Sequence, residues 1–255
     1  MRQFYDTYRR FPELSTLLRE LPWSANLHIF SKAKLPEERE FYIRAAIQNR
    51  WSVREVARQI NGGLFERTIF EPPHVSSQLI RSYPQASELF RDTYFLEFLD
   101  LSLDHQEVDL HRALLKNLGQ FFTELGRDFC FIGSEYLLQV GGRDFHIDRL
   151  LFHRGLNTLI AVELKVDEFQ PEYLGKLEFY LEALERDIRK LHENPPIGLL
   201  LCATKDDEVV KYALNRSLSP ARVAEYRTHL PEKRFLREKL HEFYQNLNPP
   251  EESQY

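Results

Sequence analysis

Apolar and polar positions divide the chain into two textures. In the first, over residues 37–67, apolar residues recur at helical spacing. The stretch 37–47 reads as a helix opened by Pro36, with Glu37 and Glu38 in its first turn, where acids suit the positive end of the helix dipole. Asn49 and Arg50 break it. Ser52 then stands three residues before Glu55, a capping box, and Val53, Val56, Ala57 and Ile60 form one apolar stripe that Asn61-Gly62-Gly63 ends. The second texture begins at Glu107. Leu110, Ala113, Leu114, Leu118, Phe121, Phe122 and Leu125 keep a helical period that predicts one helix closed by Gly126. Strand patterns follow at Phe129–Val140 and Arg143–His153, joined by the hairpin signal Gly141-Gly142, and at 158–166 after the turn Arg154-Gly155-Leu156-Asn157. A helix over 171–192, a strand over 197–203, a helix over 206–215, a strand over 222–228 and a helix over 232–247 complete the order.

Alternating strands and helices predict an α/β fold, a mixed sheet flanked by helices, preceded by a small all-helical N-terminal module. Pro72-Pro73, Ser76-Ser77 and Pro84 mark a linker. The expected division is a helical module over 1–70, a linker with a connecting helix over 71–100, and the α/β domain over 101–248. The two short helices of the module resemble a helix-turn-helix, with Arg54 and Arg58 on the exposed face as DNA-binding candidates. A helical hairpin packed on a neighbour fits the same pattern.

Composition narrows the class. At 43% hydrophobic and 29% charged residues, the chain reads as globular, not disordered. No apolar run approaches the ~20 residues of a membrane span, and the N-terminal stretch lacks the apolar core of a signal peptide. Cys130 and Cys202 lie far apart in apolar surroundings, which fits two buried thiols in a reducing compartment; the expected location is cytoplasmic. The net charge of −5 does not suggest a nucleic-acid binder. Its distribution is uneven, however. Residues 1–67 hold 12 Lys+Arg against 8 Asp+Glu, and the rest hold 22 against 31. The first quarter can therefore face phosphates, and the remainder is acidic enough to collect carboxylates for a metal.

The standard phosphate-loop, Cys-x-x-Cys, His-Glu-x-x-His and Gly-x-Ser-x-Gly motifs are absent. Hairpin geometry is more informative. A turn centred between Gly155 and Leu156 sets Asp148 opposite Glu163, and Lys165 follows on the same face. A turn centred between Gly141 and Gly142 sets Glu135 opposite Asp148. The expectation is a row of three acids across three strands. Like charges opposed on a sheet destabilise it, so the row calls for a cation or a raised pKa. Hard oxygens suit Mg²⁺, and Lys165 beside it would offset charge on an attacking water or a phosphate.

The acid of Ile147-Asp148, followed on the next strand by Glu163-Leu164-Lys165, resembles the PD-(D/E)XK nuclease signature. Phe129-Cys130-Phe131-Ile132-Gly133, Val140-Gly141-Gly142-Arg143-Asp144-Phe145-His146-Ile147-Asp148, Phe169-Gln170-Pro171-Glu172-Tyr173, Phe179-Tyr180-Leu181 and Glu193-Asn194-Pro195-Pro196-Ile197-Gly198 are similar to the YhcG-type subfamily. Upstream, Leu21-Pro22-Trp23-Ser24, Phe41-Tyr42 and Trp51-Ser52-Val53-Arg54-Glu55 resemble that family's N-terminal helical domain.

The resemblance implies a restriction-endonuclease-like fold and a metal-dependent endodeoxyribonuclease using Mg²⁺, with Mn²⁺ as a substitute. DNA is the implied partner, no membrane is involved, and a homo-oligomer is left open. It assigns metal binding to Asp148 and Glu163, catalysis to these acids with Lys165, and support of the site or the DNA to Tyr180. His111 stands where the family commonly carries an acid, so Glu135 is the candidate third ligand. Arg149 stands where an apolar residue is expected, as a phosphate contact or a solvent-facing group. The rival readings are a DNA-binding or assembly protein built on a decayed nuclease fold.

Overall fold

The computed structural model describes residues 2–9, 12–70, 74–102 and 104–230. The helix expected over 232–247 and the Pro72-Pro73 signal lie outside the described residues. The described residues form two compact units, one within 2–70 together with Leu230, the other within 74–229. No described helix is long and apolar enough to cross a membrane.

The first unit holds α1 (Arg2–Tyr8), α2 (Pro12–Glu20), α3 (Trp23–Lys32), α4 (Pro36–Gln48), α5 (Val53–Asn61) and α6 (Leu64–Phe70). The starts of α4 and α5 follow the sequence signals. Glu38 reaches back to accept the Lys34 N–H at 2.6 Å, and the Ser52 hydroxyl accepts the Glu55 N–H at 3.2 Å. Ala25, Ile29, Tyr42, Ile43, Val56 and Ile60 are buried together. The Tyr42 hydroxyl ties the last helices, accepting the Phe65 N–H at 3.2 Å and donating to the Gln59 carbonyl at 3.4 Å. Arg54 is exposed. Arg58 is not on that open face; its side chain is 19% exposed and pairs with Glu55 at 3.1 Å, one helical turn away.

The second unit holds α7 (Ser77–Ser82), α8 (Ala86–Leu89), β1 (Thr93–Phe95), α9 (Glu107–Lys116), α10 (Leu118–Leu125), β2 (Phe129–Val140), β3 (Arg143–His153), β4 (Thr158–Glu168), α11 (Glu172–Ala183), β5 (Asn194–Thr204), α12 (Asp207–Arg216) and β6 (Ala221–Arg227). The strands form one mixed sheet in the order β1-β6-β5-β4-β3-β2. Strands β2, β3 and β4 are antiparallel neighbours, and β4, β5, β6 and β1 run parallel.

Four local expectations change. The segment read as a linker contains β1, an edge strand of the sheet. The helix expected from Glu107 to Leu125 breaks at Asn117, whose side-chain amide donates to the Ala113 carbonyl at 2.9 Å while its backbone leaves helical angles. The long helix after β4 ends as α11 and one wider turn, Leu184–Ile188. Cys130 is exposed, whereas Cys202 is buried as expected.

Strand β4 lies inside the sheet, and successive side chains enter opposite cores. Ile160, Val162 and Leu164 pack with Leu110, Leu114 and Phe121 of α9 and α10. Leu159 and Ala161 pack with Leu174, Leu177 and Leu181 of α11. Helix α11 approaches the sheet over Gly198, where an added Cβ would lie 2.6 Å from Leu177. Glu163 and Lys165 continue the α11-facing series on β4.

Candidate active site

The β3–β4 ladder pairs Leu150 with Ala161 and Arg149 with Val162, the register expected from the Gly155-Leu156 turn. Asp148 and Glu163 follow immediately beyond its last pair. There the Asp148 carboxylate itself reaches across, and its Oδ2 accepts the Leu164 N–H at 2.7 Å. Asp148 is 6% exposed and Glu163 fully buried. Burial, with the Glu163 charge added to it, raises the Asp148 carboxyl to a pKa of about 6, against the opposing pull of the Leu164 N–H, His111 and Lys165.

Two lysines meet Glu163. Its Oε1 lies 3.0 Å from Lys165 Nζ and 2.5 Å from Lys176 Nζ. Its Oε2 is buried with no hydrogen-bond partner. Burial alone would depress both ammonium groups, but the hydrogen bond and charge of Glu163 outweigh it and raise them. Lys165 also lies 3.4 Å from Glu107 Oε1. Lys176 and Tyr180 share a face of α11, with the ammonium 5.4 Å from the ring centroid. Tyr180 is buried, and its hydroxyl donates to the His146 carbonyl at 2.7 Å, tying α11 to the strand that carries Asp148.

The third acid of the expected row stands elsewhere. Ser134↔Arg149 and Tyr136↔Ile147 keep the β2–β3 register expected from Gly141-Gly142. Glu135 between them adopts φ +48°, which takes it out of the ladder. Its Oε1 meets His111 Nδ1 at 3.0 Å. Arg149 is fully buried beside this pair, so it does not face solvent. Its guanidinium donates to the Asp148 carbonyl at 2.5 Å and to the His111 carbonyl at 2.9 Å. It pins α9 to β3.

The helix before β2 does carry an acid. Glu107 lies one turn before His111, and Glu107, His111 and Asp148 offer ligand atoms within 4.8 Å of one another. Two site residues thus escaped the sequence reading, Glu107 and Lys176. Each left a helical signal, four residues before His111 and four before Tyr180. The structure brings Asp148, Glu163, Lys165 and Tyr180 together, places Glu135 behind His111, buries Arg149, and carries Arg54 and Arg58 in the other unit.

Residues 87–241 match the family described as "YhcG PDDEXK nuclease domain", and residues 1–67 match "DUF1016 N-terminal domain". "Putative nuclease YhcG" of Escherichia coli (strain K12) is 34% identical over 226 residues, 86% of this chain and 60% of its own length. The chain thus spans about 60% of the curated relative it matches. Among solved structures, a repair endonuclease from Pyrococcus abyssi aligns with a TM-score of 0.33 at 14% identity, covering 51% of this chain and 50% of that one. EndoMS in complex with double-stranded DNA aligns with a TM-score of 0.35 at 16% identity, covering 52% and 48%. The first family match takes in all six described strands and the helices that carry Glu107, His111, Lys176 and Tyr180, so this chain belongs to the YhcG PDDEXK nuclease domain family.

Proposed function

We propose that the protein is a metal-dependent endodeoxyribonuclease that hydrolyses DNA phosphodiester bonds. The observation that carries this reading is the buried pair Asp148 and Glu163, with Lys165 on the same carboxylate and Glu163 Oε2 left without a partner. Two buried acids, one of them raised by burial and further by the other's charge, are stabilised by a cation. Their oxygens suit a hard divalent ion, Mg²⁺ or Mn²⁺.

Asp148 and Glu163 would hold that ion. When bound, it supplies a water of lowered pKa and neutralises charge on the scissile phosphate. The residues around it do the rest. Lys165 carries a fixed positive charge 3.0 Å from Glu163, suited to orienting the attacking oxygen and to stabilising the charge that builds on phosphorus. Burial of the acids on β3 and β4 keeps water from screening these charges. Tyr180 holds the Asp148 strand through His146. Arg54, exposed on α5, is the candidate phosphate contact in the N-terminal unit.

The test is incubation with plasmid, linear and branched DNA in Mg²⁺, Mn²⁺ or EDTA. Nicking or linearisation of the plasmid that EDTA abolishes is the expected result. No cleavage of any form, together with no Mg²⁺ or Mn²⁺ uptake by calorimetry, would overturn the reading and leave a binding role.

A further inference from the structure

His111 departs from an all-oxygen site, and its surroundings give that departure a chemical direction. The ring stands between two carboxylates. On one side Nδ1 lies 3.0 Å from Glu135 Oε1. A carboxylate can only accept there, so Nδ1 carries the proton, and in the neutral ring Nε2 presents a lone pair. Nε2 points toward the acids. It lies 3.6 Å from Asp148 Oδ2 and 3.9 Å from Glu107 Oε1, and it is buried without a hydrogen-bond partner. Its place is fixed from behind, because the buried Arg149 guanidinium holds the His111 carbonyl. Glu135, which meets the ring, stands in a left-handed conformation that a non-glycine residue adopts at a cost.

We propose that His111 Nε2 is a ligand to the divalent ion, positioned by Glu135, and that this nitrogen makes the site favour Mn²⁺ over Mg²⁺. The inference rests on the metal-nuclease reading above and specifies its ion. Mg²⁺ is held by oxygens and keeps its waters, whereas Mn²⁺, the weakest binder of the first-row transition series and itself at home among oxygens, accepts an imidazole nitrogen more readily than Mg²⁺ does. Glu107, His111 and Asp148 supply one nitrogen and two carboxylates around one point. A carboxylate on the far ring nitrogen is the usual support of a metal-bound histidine. The other described group of this kind, His74, Asp92 and Asp207, differs. There the Lys205 ammonium already sits on both acids, 2.8 Å from Asp92 Oδ2.

The test reads the metal, not the turnover. The Mn²⁺-loaded protein is examined by electron spin-echo spectroscopy for coupling to imidazole nitrogen. Calorimetry with Mn²⁺ and with Mg²⁺ follows on wild type, His111→Gln, His111→Glu, Glu135→Gln and Asp148→Asn. Nitrogen coupling is expected in wild type and in His74→Gln, and is lost in His111→Gln. The ratio of Mn²⁺ to Mg²⁺ affinity should fall by about tenfold or more in His111→Glu, and Glu135→Gln should weaken Mn²⁺ binding about tenfold. Mn²⁺ binding that depends on Asp148 but shows no nitrogen coupling in wild type would overturn the role of His111 and leave the nuclease reading standing. So would an unchanged ratio in His111→Glu. No divalent binding to wild type would overturn both.

Discussion

Glu163 is fully buried, and one of its oxygens carries two ammonium groups, yet the two lysines should answer differently to removal. Lys165 extends from the same strand toward Glu107. Lys165→Met should leave metal affinity intact or tighter, because a competing cation has gone, while cleavage falls steeply. Each ~1.4 kcal/mol of lost transition-state stabilisation costs tenfold in rate. Calorimetry beside a plasmid-nicking assay separates the two effects, and Asp148→Asn should instead lose both. Lys176 is nearly half exposed and offsets the Glu163 charge. Lys176→Met should lower the melting temperature of the metal-free protein by a few degrees, at about 2–4 °C per kcal/mol for a unit of this size. It should enlarge the rise on adding Mn²⁺, since the ion then restores the missing charge. An equal rise in both proteins would count against Lys176 as a stand-in cation. At this scale the sequence exposed Asp148, Glu163 and Lys165, because strand alternation and turn centres are periodic. It hid Glu135's true partner, because a single left-handed residue leaves no periodic trace.

Elements were legible where a turn enforced them. Gly141 and Gly142 take φ of +58° and +74°, so the β2–β3 hairpin was fixed by residue type alone. The three-residue β1 was hidden, because so short a strand shows no alternation and is defined by its pairing with β6. The break at Asn117 was hidden because apolar spacing continues across it. Packing between elements yields two expectations. Gly198→Ala would press a methyl group to 2.6 Å from Leu177 of α11, and overpacking of this kind costs roughly 1–3 kcal/mol, readable as a lower urea midpoint. The second concerns Asp92, just before β1, which receives Lys205 from the end of β5. Burial alone would raise its carboxyl, but hydrogen bonds from His74 and Lys205 outweigh it and hold the pKa below the ordinary 3.8. Its contribution to stability is therefore complete above about pH 4 and lost as pH falls through the depressed value. Asp92→Asn should destabilise the protein at pH 7, because it leaves Lys205 with Asp207 alone and removes the charge facing the buried Arg222. The gap from wild type in urea unfolding should narrow as pH falls below about 4. A gap independent of pH would assign the loss to packing.

At the scale of the whole chain, the N-terminal unit has its own core and its own family match, so its role is separable from the chemistry of the sheet. Its excess of basic residues favours phosphate, but Arg58 is turned to Glu55 and contributes to α5 itself. Arg54 is exposed on the same helix. The two arginines should therefore separate in a DNA-binding titration across salt concentrations. Each phosphate neutralised releases counterions, so removing one contact lowers the slope of log affinity against log salt by about 1. Arg54→Ala should show that drop and leave the melting temperature unchanged. Arg58→Ala should lower the melting temperature and leave the slope close to wild type, because its charge is already partnered. Equal slopes in wild type and Arg54→Ala would take α5 off the DNA, and the unit would then act through its packing surfaces.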